Sequence, residues 1–280
     1  MAGTLYVVAT PIGNLGDITY RAVQILNQVN LIACEDTRHT HKLLHHYGIN
    51  TKTISYHEHN EHQRALELLE LIKNGNDIAV VSDAGTPTVS DPGFRIVQAA
   101  AASGISVVPI PGPSAVITAL TVAGLPTDEF LFVGFLPSKA TARRNKLKQL
   151  VSVEATLILY EAPHRLAATL KDAASILGDR LAVVARELTK LHEQFRRGRL
   201  SELAQHYGAE ETPRGEIVLL VDGNAIEPAI TSSESSVSDV VARLESEGLD
   251  HRVALKRAAR ELGLSRAEVY RQLLSERNDN

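Results

Sequence analysis

The sequence predicts an α/β protein built as two successive series of strands and helices, closed by a small all-helical tail. Three observations carry this. The run Ile78–Val81 is continuous and β-branched rather than alternating, as in a strand buried on both faces of a parallel sheet, and 105–110 reads as another buried strand. Each run ends in a turn dense in Gly, Pro, Ser or Thr that leads into a helical pattern. The pattern breaks at Gly124-Leu-Pro126-Thr-Asp128 and again at the linker-like 223–236, which divides the chain into residues 1–124, 125–224 and 225–280.

With 44% apolar and 22% charged side chains in 280 residues, the chain can bury a substantial core. Aromatic residues make up only 4%, with no Trp, so that core must be aliphatic. The single cysteine, Cys34, cannot form an internal disulfide, and there is no signal-like or long apolar segment, so a cytoplasmic protein away from membranes is expected. A net charge of −4 argues against a general coat for DNA or membranes but leaves room for local basic surfaces.

Taken in order, residues 3–9 form the first strand, and TPIGNLGD turns into a helix capped by Thr19 that runs to Gln28. Gly13 and Gly16 make half a dinucleotide fingerprint, and Glu35–Asp36 follow a second strand at 30–34, but GxGxxG is absent. Seven of the eleven histidines fall between His39 and His62, either as a solvated helix face or, less simply, as metal ligands, although HExxH is missing. A helix at Glu61–Lys73 carries Ala65, Leu68, Leu69 and Ile72 on one face.

The densest stretch is IAVVSDAGTPTVSDPG, residues 78–93. Its strand ends in small residues that let a ligand reach bare backbone, so Asp83, Ala84, Gly85 and Thr86 form a candidate binding loop. Ser90 or Asp91 either caps the next helix, with Pro92 in its first turn, or extends that loop. After a helix at 93–102 and a strand at 105–110, PGPSA gives a second loop, in which Ser114 and Ala115 open a helix. Ser114 is either an N-cap or a ligand group. The loops at 10–17, 83–91 and 111–115 all follow parallel strands and should share one sheet edge.

The second series begins with a strand at 129–135, where Phe130, Phe132 and Phe135 are expected to serve core packing. Residues 138–148 then hold Lys139, Arg143, Arg144, Lys146 and Lys148 with no acidic residue, a solvated face or a phosphate-binding one. Strands at 156–160 and 181–186 end in EAPHR and ELTK, placing Glu161, His164, Arg165, Glu187 and Lys190 at carboxyl ends, and Arg214-Gly215-Glu216 leads into a last strand at 217–221. Three short amphipathic helices are expected at 237–247, 250–262 and 265–276; the last two have helix-turn-helix spacing and carry Arg252, Lys256, Arg257, Arg260, Arg266 and Arg271.

In this order over residues 10–222, TPIGNLGDIT, CEDTR, VSDAGTPTVSDPG, PGPSA, VGFLP, YEAPHR, RELTK and GEIVLLV resemble the ribosomal RNA small-subunit methyltransferase I group of the tetrapyrrole methylase superfamily. The resemblance implies two α/β/α domains with S-adenosylmethionine in the cleft between them, 2′-O-methylation of a cytidine ribose in 16S ribosomal RNA or the small subunit, and a homodimer. Carried over by position, the cofactor contacts are Pro11, Asp83, Ala84, Gly85, Thr86, Ser114, Ala115, Tyr160, Arg214, Gly215 and Glu216. For the proton of a ribose hydroxyl, Lys190 with a depressed pKa is the first candidate, then Glu161, Glu187 and His164. RNA would lie on Arg143, Arg144, Lys146 and Lys148. A scarcity of aromatic side chains for a base pocket favours a ribose acceptor over a base atom. A tetrapyrrole-type small-molecule methyltransferase and a non-catalytic RNA-binding assembly factor are the alternatives; the basic segment argues against the first and the intact cofactor loops against the second.

Overall fold

The structure, a computed structural model, describes residues 2–209, 213–223, 236–265 and 268–273. β1 (Leu5–Val8), β2 (Leu31–Cys34), β3 (Thr53–Ser55), β4 (Ile78–Val80) and β5 (Val107–Ile110) form a sheet of order β3-β2-β4-β1-β5, parallel throughout. The continuous apolar run at β4 now has its reason. Ile78 and Val80 enter a core on one face with Leu68, Ile72 and Ile96, whereas Ala79 and Val81 enter one on the other face with Leu26, Ile32 and Leu44.

The helices that cover these faces are α1 (Tyr20–Gln28), α2 (Thr37–His46), α3 (Glu61–Lys73) and α4 (Phe94–Ala102). Thr19 caps α1 through the Ala22 N–H, and Asp36 caps α2 through the Arg38 N–H. Neither Ser90 nor Asp91 caps α4. Gly93, at φ 128°, occupies that position without a side-chain bond, because the preceding loop turns away into the space between the two sheets.

The second sheet has the order β6-β7-β10-β8-β9, from β6 (Phe130–Phe135), β7 (Thr156–Glu161), β8 (Leu181–Arg186), β9 (Gln194–Arg199) and β10 (Ile217–Val221). β6 and β7 are parallel, and β10 runs antiparallel to both β7 and β8. The carboxyl ends of β6, β7 and β8 and the amino end of β10 therefore meet at one edge. One face is covered by α6 (Ala140–Lys148), α7 (Leu166–Leu177) and α8 (Leu200–Ala209) over Leu157, Leu159, Val184 and Leu219. The other face, with Ile158, Val183, Val218 and Leu220, packs on α5 (Ala115–Ala123). Thus α5, which follows the first sheet in sequence, packs on the second sheet through Val116, Ala119, Leu120 and Ala123, with Ile12 from the first sheet's loop joining that core, while Ile117 and Val122 stay about half exposed. β3, α7, β9 and α8 were not anticipated; β9, QFRRGR, is an edge strand with little apolar content.

In the tail, α9 (Val237–Ser246) starts with a capping box between Ser236 and Asp239, and α10 (His251–Glu261) is capped by Asp250. Together with Val269 of a further helical stretch at 268–273, they enclose their own small core. Most of the expected linker, and Arg266 of the third expected helix, lie outside the described residues. Lys256 bonds Glu129 and reaches Asp128 at 3.4 Å, while Arg260 reaches Asp128 at 3.7 Å. No helix among the described residues is long and apolar enough to cross a membrane.

Candidate active site

Three loops of the first sheet are laced together at its carboxyl edge, where β4, β1 and β5 lie side by side. Thr10 and Gly85 exchange backbone bonds of 2.9 and 3.0 Å. The buried Thr10 hydroxyl donates to the Ser82 carbonyl at 3.0 Å, and the Thr86 hydroxyl donates to the Pro113 carbonyl at 3.3 Å. Gly85 sits at φ +82°, and a Cβ there would stand 3.2 Å from Ile12 Cγ2, so both the backbone shape and the lack of a side chain are needed. Ser114 occupies the N-cap position of α5 but makes no cap bond, which leaves its hydroxyl and the first-turn N–H groups facing the space beside it.

That space is a cleft of ≈ 690 Å³, the size of a cofactor site. Its opposite wall comes from the second sheet. Tyr160 packs edge-on to Phe132 at 5.0 Å between ring centroids and tilts against Phe135 at 5.4 Å. Phe130 and Phe135 are 42% and 58% exposed, and all three phenylalanines line the cleft. The expectation that they fill the core holds in part for Phe132, which packs on the core around α5, and is corrected for Phe130 and Phe135: β6 ends at the cleft, and a bulge at Gly134 turns its last residues toward Ser90 of the first sheet's loop. The two walls also approach at Gly13, where any Cβ would overlap the Lys190 side chain and crowd the Leu188 carbonyl.

Of the cofactor residues expected from the sequence, Ala84, Gly85, Thr86, Ser114, Ala115, Tyr160, Gly215 and Glu216 line this one cleft. Pro11, Asp83 and Arg214 stand beside it. Asp83 turns its Oδ1 to the Asp36 N–H at 3.0 Å, and the Arg214 carbonyl accepts from Arg186 Nη1 at 3.1 Å.

The catalytic candidates fare differently. Lys190 was expected to have a depressed pKa. Burial does act in that direction, but the 2.8 Å bond from Nζ to Glu187 and the charges of Glu216 and Glu187 outweigh it and hold the ammonium above its ordinary value. It is an anchored cation, not a ready base. Its partner Glu187 is held below the usual carboxylate range, chiefly by that hydrogen bond, and its Oε1 also accepts from the Glu216 N–H at 3.0 Å. Glu161 is buried with both oxygens engaged, by the Thr169 hydroxyl at 2.5 Å and the Ala162 N–H at 2.8 Å, beside Arg165 at 3.3 Å. His164 is exposed in the turn that follows.

The basic segment is not unopposed. Asp172, from α7, bonds Arg143 Nε and Arg144 Nε, each at 2.8 Å, and Arg143 is buried, 6% exposed. Arg143 is therefore part of the packing between α6 and α7 and is withdrawn as an RNA contact. Lys139, Lys146 and Lys148 have no acidic partner among the described residues. His41, His45 and His46 lie on the exposed face of α2, beside a shallow depression shared with Arg38 and Lys42. Among the described residues no group of three His, Cys, Asp or Glu side chains is placed to hold a metal.

Sequence reasoning weighed Asp91 as a helix cap or loop residue but not as a candidate base. It lines the cleft half-buried, and burial, followed by the charge of Glu35, pushes its carboxyl up to about 6. The signal for it was the second half of the SDAGTP…SDPG pair, where a helix cap is the simpler reading.

The family profile of the tetrapyrrole (corrin/porphyrin) methylases matches residues 4–204, and the chain belongs to that family of methyltransferases. A solved diphthine synthase shares the fold, with a TM-score of 0.61 and 15% identity over 79% of this chain and 90% of that one. Two relatives give the narrower group. A ribosomal RNA small subunit methyltransferase I from Synechocystis sp. is 51% identical over 96% of both chains, and one from Halalkalibacterium halodurans is 47% identical over 96% of this chain and 93% of its own.

Proposed function

We propose that the protein transfers a methyl group from S-adenosylmethionine to the 2′ oxygen of a cytidine ribose in 16S ribosomal RNA, as a cytoplasmic homodimer whose catalytic units are residues 1–124 and 125–224, with 225–280 as an appended module. The observation that carries this reading is the cleft itself: three backbone-rich loops on one wall and an aromatic wall opposite, in a chain of this family.

The residues fit the cofactor. Gly85 leaves a cradle that a side chain would fill, the uncapped Ser114 and the start of α5 offer donors to a carboxylate or hydroxyl, and Ile12 and Leu188 supply apolar contact. When bound, the cofactor supplies an electrophilic methyl group on a sulfonium. The protein's share is alignment, worth up to ~7–11 kcal/mol when a reacting pair is held in line. Lys190, fixed by Glu187 and Glu216, braces the loop against Gly13 and so sets the distance between the walls.

The aromatic wall removes one support for a ribose acceptor, since Phe130, Phe135 and Tyr160 give a nucleobase somewhere to stack. Two others stand. Methylation of a cytosine ring carbon would call for a thiol nucleophile, and Cys34 is fully buried among the helices of the first sheet. A weakly acidic hydroxyl needs a carboxylate or similar base, and the cleft has one in Asp91. Alkaline hydrolysis of methylated RNA provides the test. Protection of the phosphodiester next to the modified cytidine is expected, whereas cleavage there would place the methyl group on the base.

A further inference from the structure

We propose that Asp91 is the catalytic base that accepts the proton of the acceptor hydroxyl, an inference that rests on the cleft being the methyl-transfer site. As the hydroxyl oxygen bonds to the methyl carbon, the carbon–sulfur bond breaks and its electron pair stays on sulfur, which loses its positive charge. The hydroxyl proton passes to an Asp91 carboxylate oxygen and from there to solvent when the product leaves.

Position gives the first support. Asp91 stands in the cleft wall, on the loop that follows β4, across from Tyr160; its charge is felt by the Tyr160 phenol, which burial, then Asp91, then Glu216 push above its ordinary value. Backbone shape gives the second. Among the described residues, four that are not glycine adopt left-handed conformations: Thr88 and Ser90 at φ 73° and 61°, and Glu187 and Thr189 at 52° and 64°. All four belong to the two loops that face each other over this cleft. Such conformations persist only where the surroundings enforce them, and they concentrate at working sites. Here Gly93 packs on the Thr88 side chain and Gly134 on Ser90, fixing the loop on both sides of Asp91.

Elimination gives the third. Of the other ionisable groups lining this cleft, Glu161 has both oxygens occupied, Glu216 is 74% exposed and tied to Lys190 at 3.3 Å, and the Tyr160 phenol is pushed above its ordinary value; beside the cleft, Glu187 is committed to Lys190 and the Glu216 N–H, and Lys190 is held charged. Asp91 has no cationic partner among the described residues. The groups facing it are Glu35 at the end of β2, Ser82 and Asp83 at the end of β4, and Tyr160 on the far wall. Burial first, then Glu35 and Asp83, raise its carboxyl to about 6, while the Ser82 hydroxyl, which also reaches the Ala84 and Gly85 carbonyls at 3.4 and 3.3 Å, offsets part of this. A carboxylate so placed is ionised at neutral pH yet more basic than an ordinary aspartate, as a general base requires.

The test uses the full chain with Asp91→Asn and Asp91→Glu. Asp91→Asn should lower the single-turnover rate by about 100- to 1,000-fold with cofactor affinity, measured by calorimetry, unchanged. Asp91→Glu should recover part of that rate with a displaced pH profile. In the ligand-free protein, carbon NMR of labelled aspartate should show one carboxyl titrating near 6 that is absent from Asp91→Asn. A wild-type rate in Asp91→Asn, a loss of cofactor affinity that accounts for the lost rate, or an Asp91 carboxyl titrating in the ordinary aspartate range would each overturn the assignment. If the wild type bound no cofactor and methylated no RNA, the reading of the cleft would fall first, and that result is distinct from an active wild type that tolerates Asp91→Asn.

Discussion

Without Asp172, Arg143 would remain charged, 6% exposed and unpaired, in a place water cannot easily reach. Breaking a buried pair from one side costs about 3–5 kcal/mol, so Asp172→Ala should lower the urea midpoint markedly, while Arg144→Ala, whose side chain is 58% exposed, should cost under about 1 kcal/mol. The direction with pH follows. Burial raises the Asp172 carboxyl but the two arginines more than reverse this, so its folded value lies below the ordinary one. The stabilisation is present above the unfolded value and is lost as pH falls through the folded one. Asp91 has the opposite sign. Its carboxyl moves from 3.8 to about 6 on folding, so the folded state holds its proton longer and loses stability as pH rises between those values. Asp91→Asn should therefore melt higher than wild type at pH 7.5, by roughly 1–2 kcal/mol after allowance for its contact with solvent, with the gap closing near pH 4. A melting point equal to wild type at both pH values would show that the carboxylate is not strained. A group that costs stability where it stands, in a loop with two left-handed residues, is the pattern of a site shaped for activity.

Elements differed in how openly the sequence announced them. The α3 boundaries could be read directly, because a regular apolar face and polar ends admit little else, and β4 and its loop were legible because small residues at a strand's end serve few purposes. β9 was not legible: half of its six residues are arginine, and Phe195 is its only large apolar side chain, yet backbone pairing lets such an edge strand hold its place on β8. The role of β6 also could not be read, since phenylalanines in a strand look alike whether they face a core or a cleft; only the second sheet's position against α5 distinguishes the two. Likewise, no run of sequence shows that Asp172 lies beside Arg143, 29 positions away. The loop after β4 allows a direct test of the part that was legible. At φ +82° with Ile12 3.2 Å from any Cβ, Gly85→Val adds backbone strain of ~1–2 kcal/mol before any ligand is considered. Cofactor affinity should fall by at least about tenfold, the equivalent of 1.4 kcal/mol. Calorimetry giving the wild-type constant would take the loop out of the site.

At the scale of the whole molecule, a protein of net charge −4 must confine its attraction for RNA to a few places. The tail has cations, but Lys256 and Arg260 are engaged by Asp128 and Glu129, which pin the tail near the start of β6 rather than leaving it free to grip a partner. α6 offers more. It begins five residues after Phe135, which lines the cleft, and Lys139, Lys146 and Lys148 along it have no acidic partner among the described residues. An RNA strand crossing α6 would pass the cleft mouth with a nucleotide in reach of the aromatic wall. Replacing Lys139, Lys146 and Lys148 with alanine should weaken RNA binding at low salt and reduce the slope of log affinity against log salt by about 0.7 for each phosphate no longer neutralised, whatever the sequence of the RNA. Arg143→Ala should behave differently, lowering the unfolding midpoint while leaving the salt slope of the protein that remains folded unchanged. Fluorescence anisotropy across a salt series separates the two, and an unchanged slope in the triple variant would move the RNA path off α6, leaving the exposed face of α2, with Arg38 and Lys42, as the surface to test next.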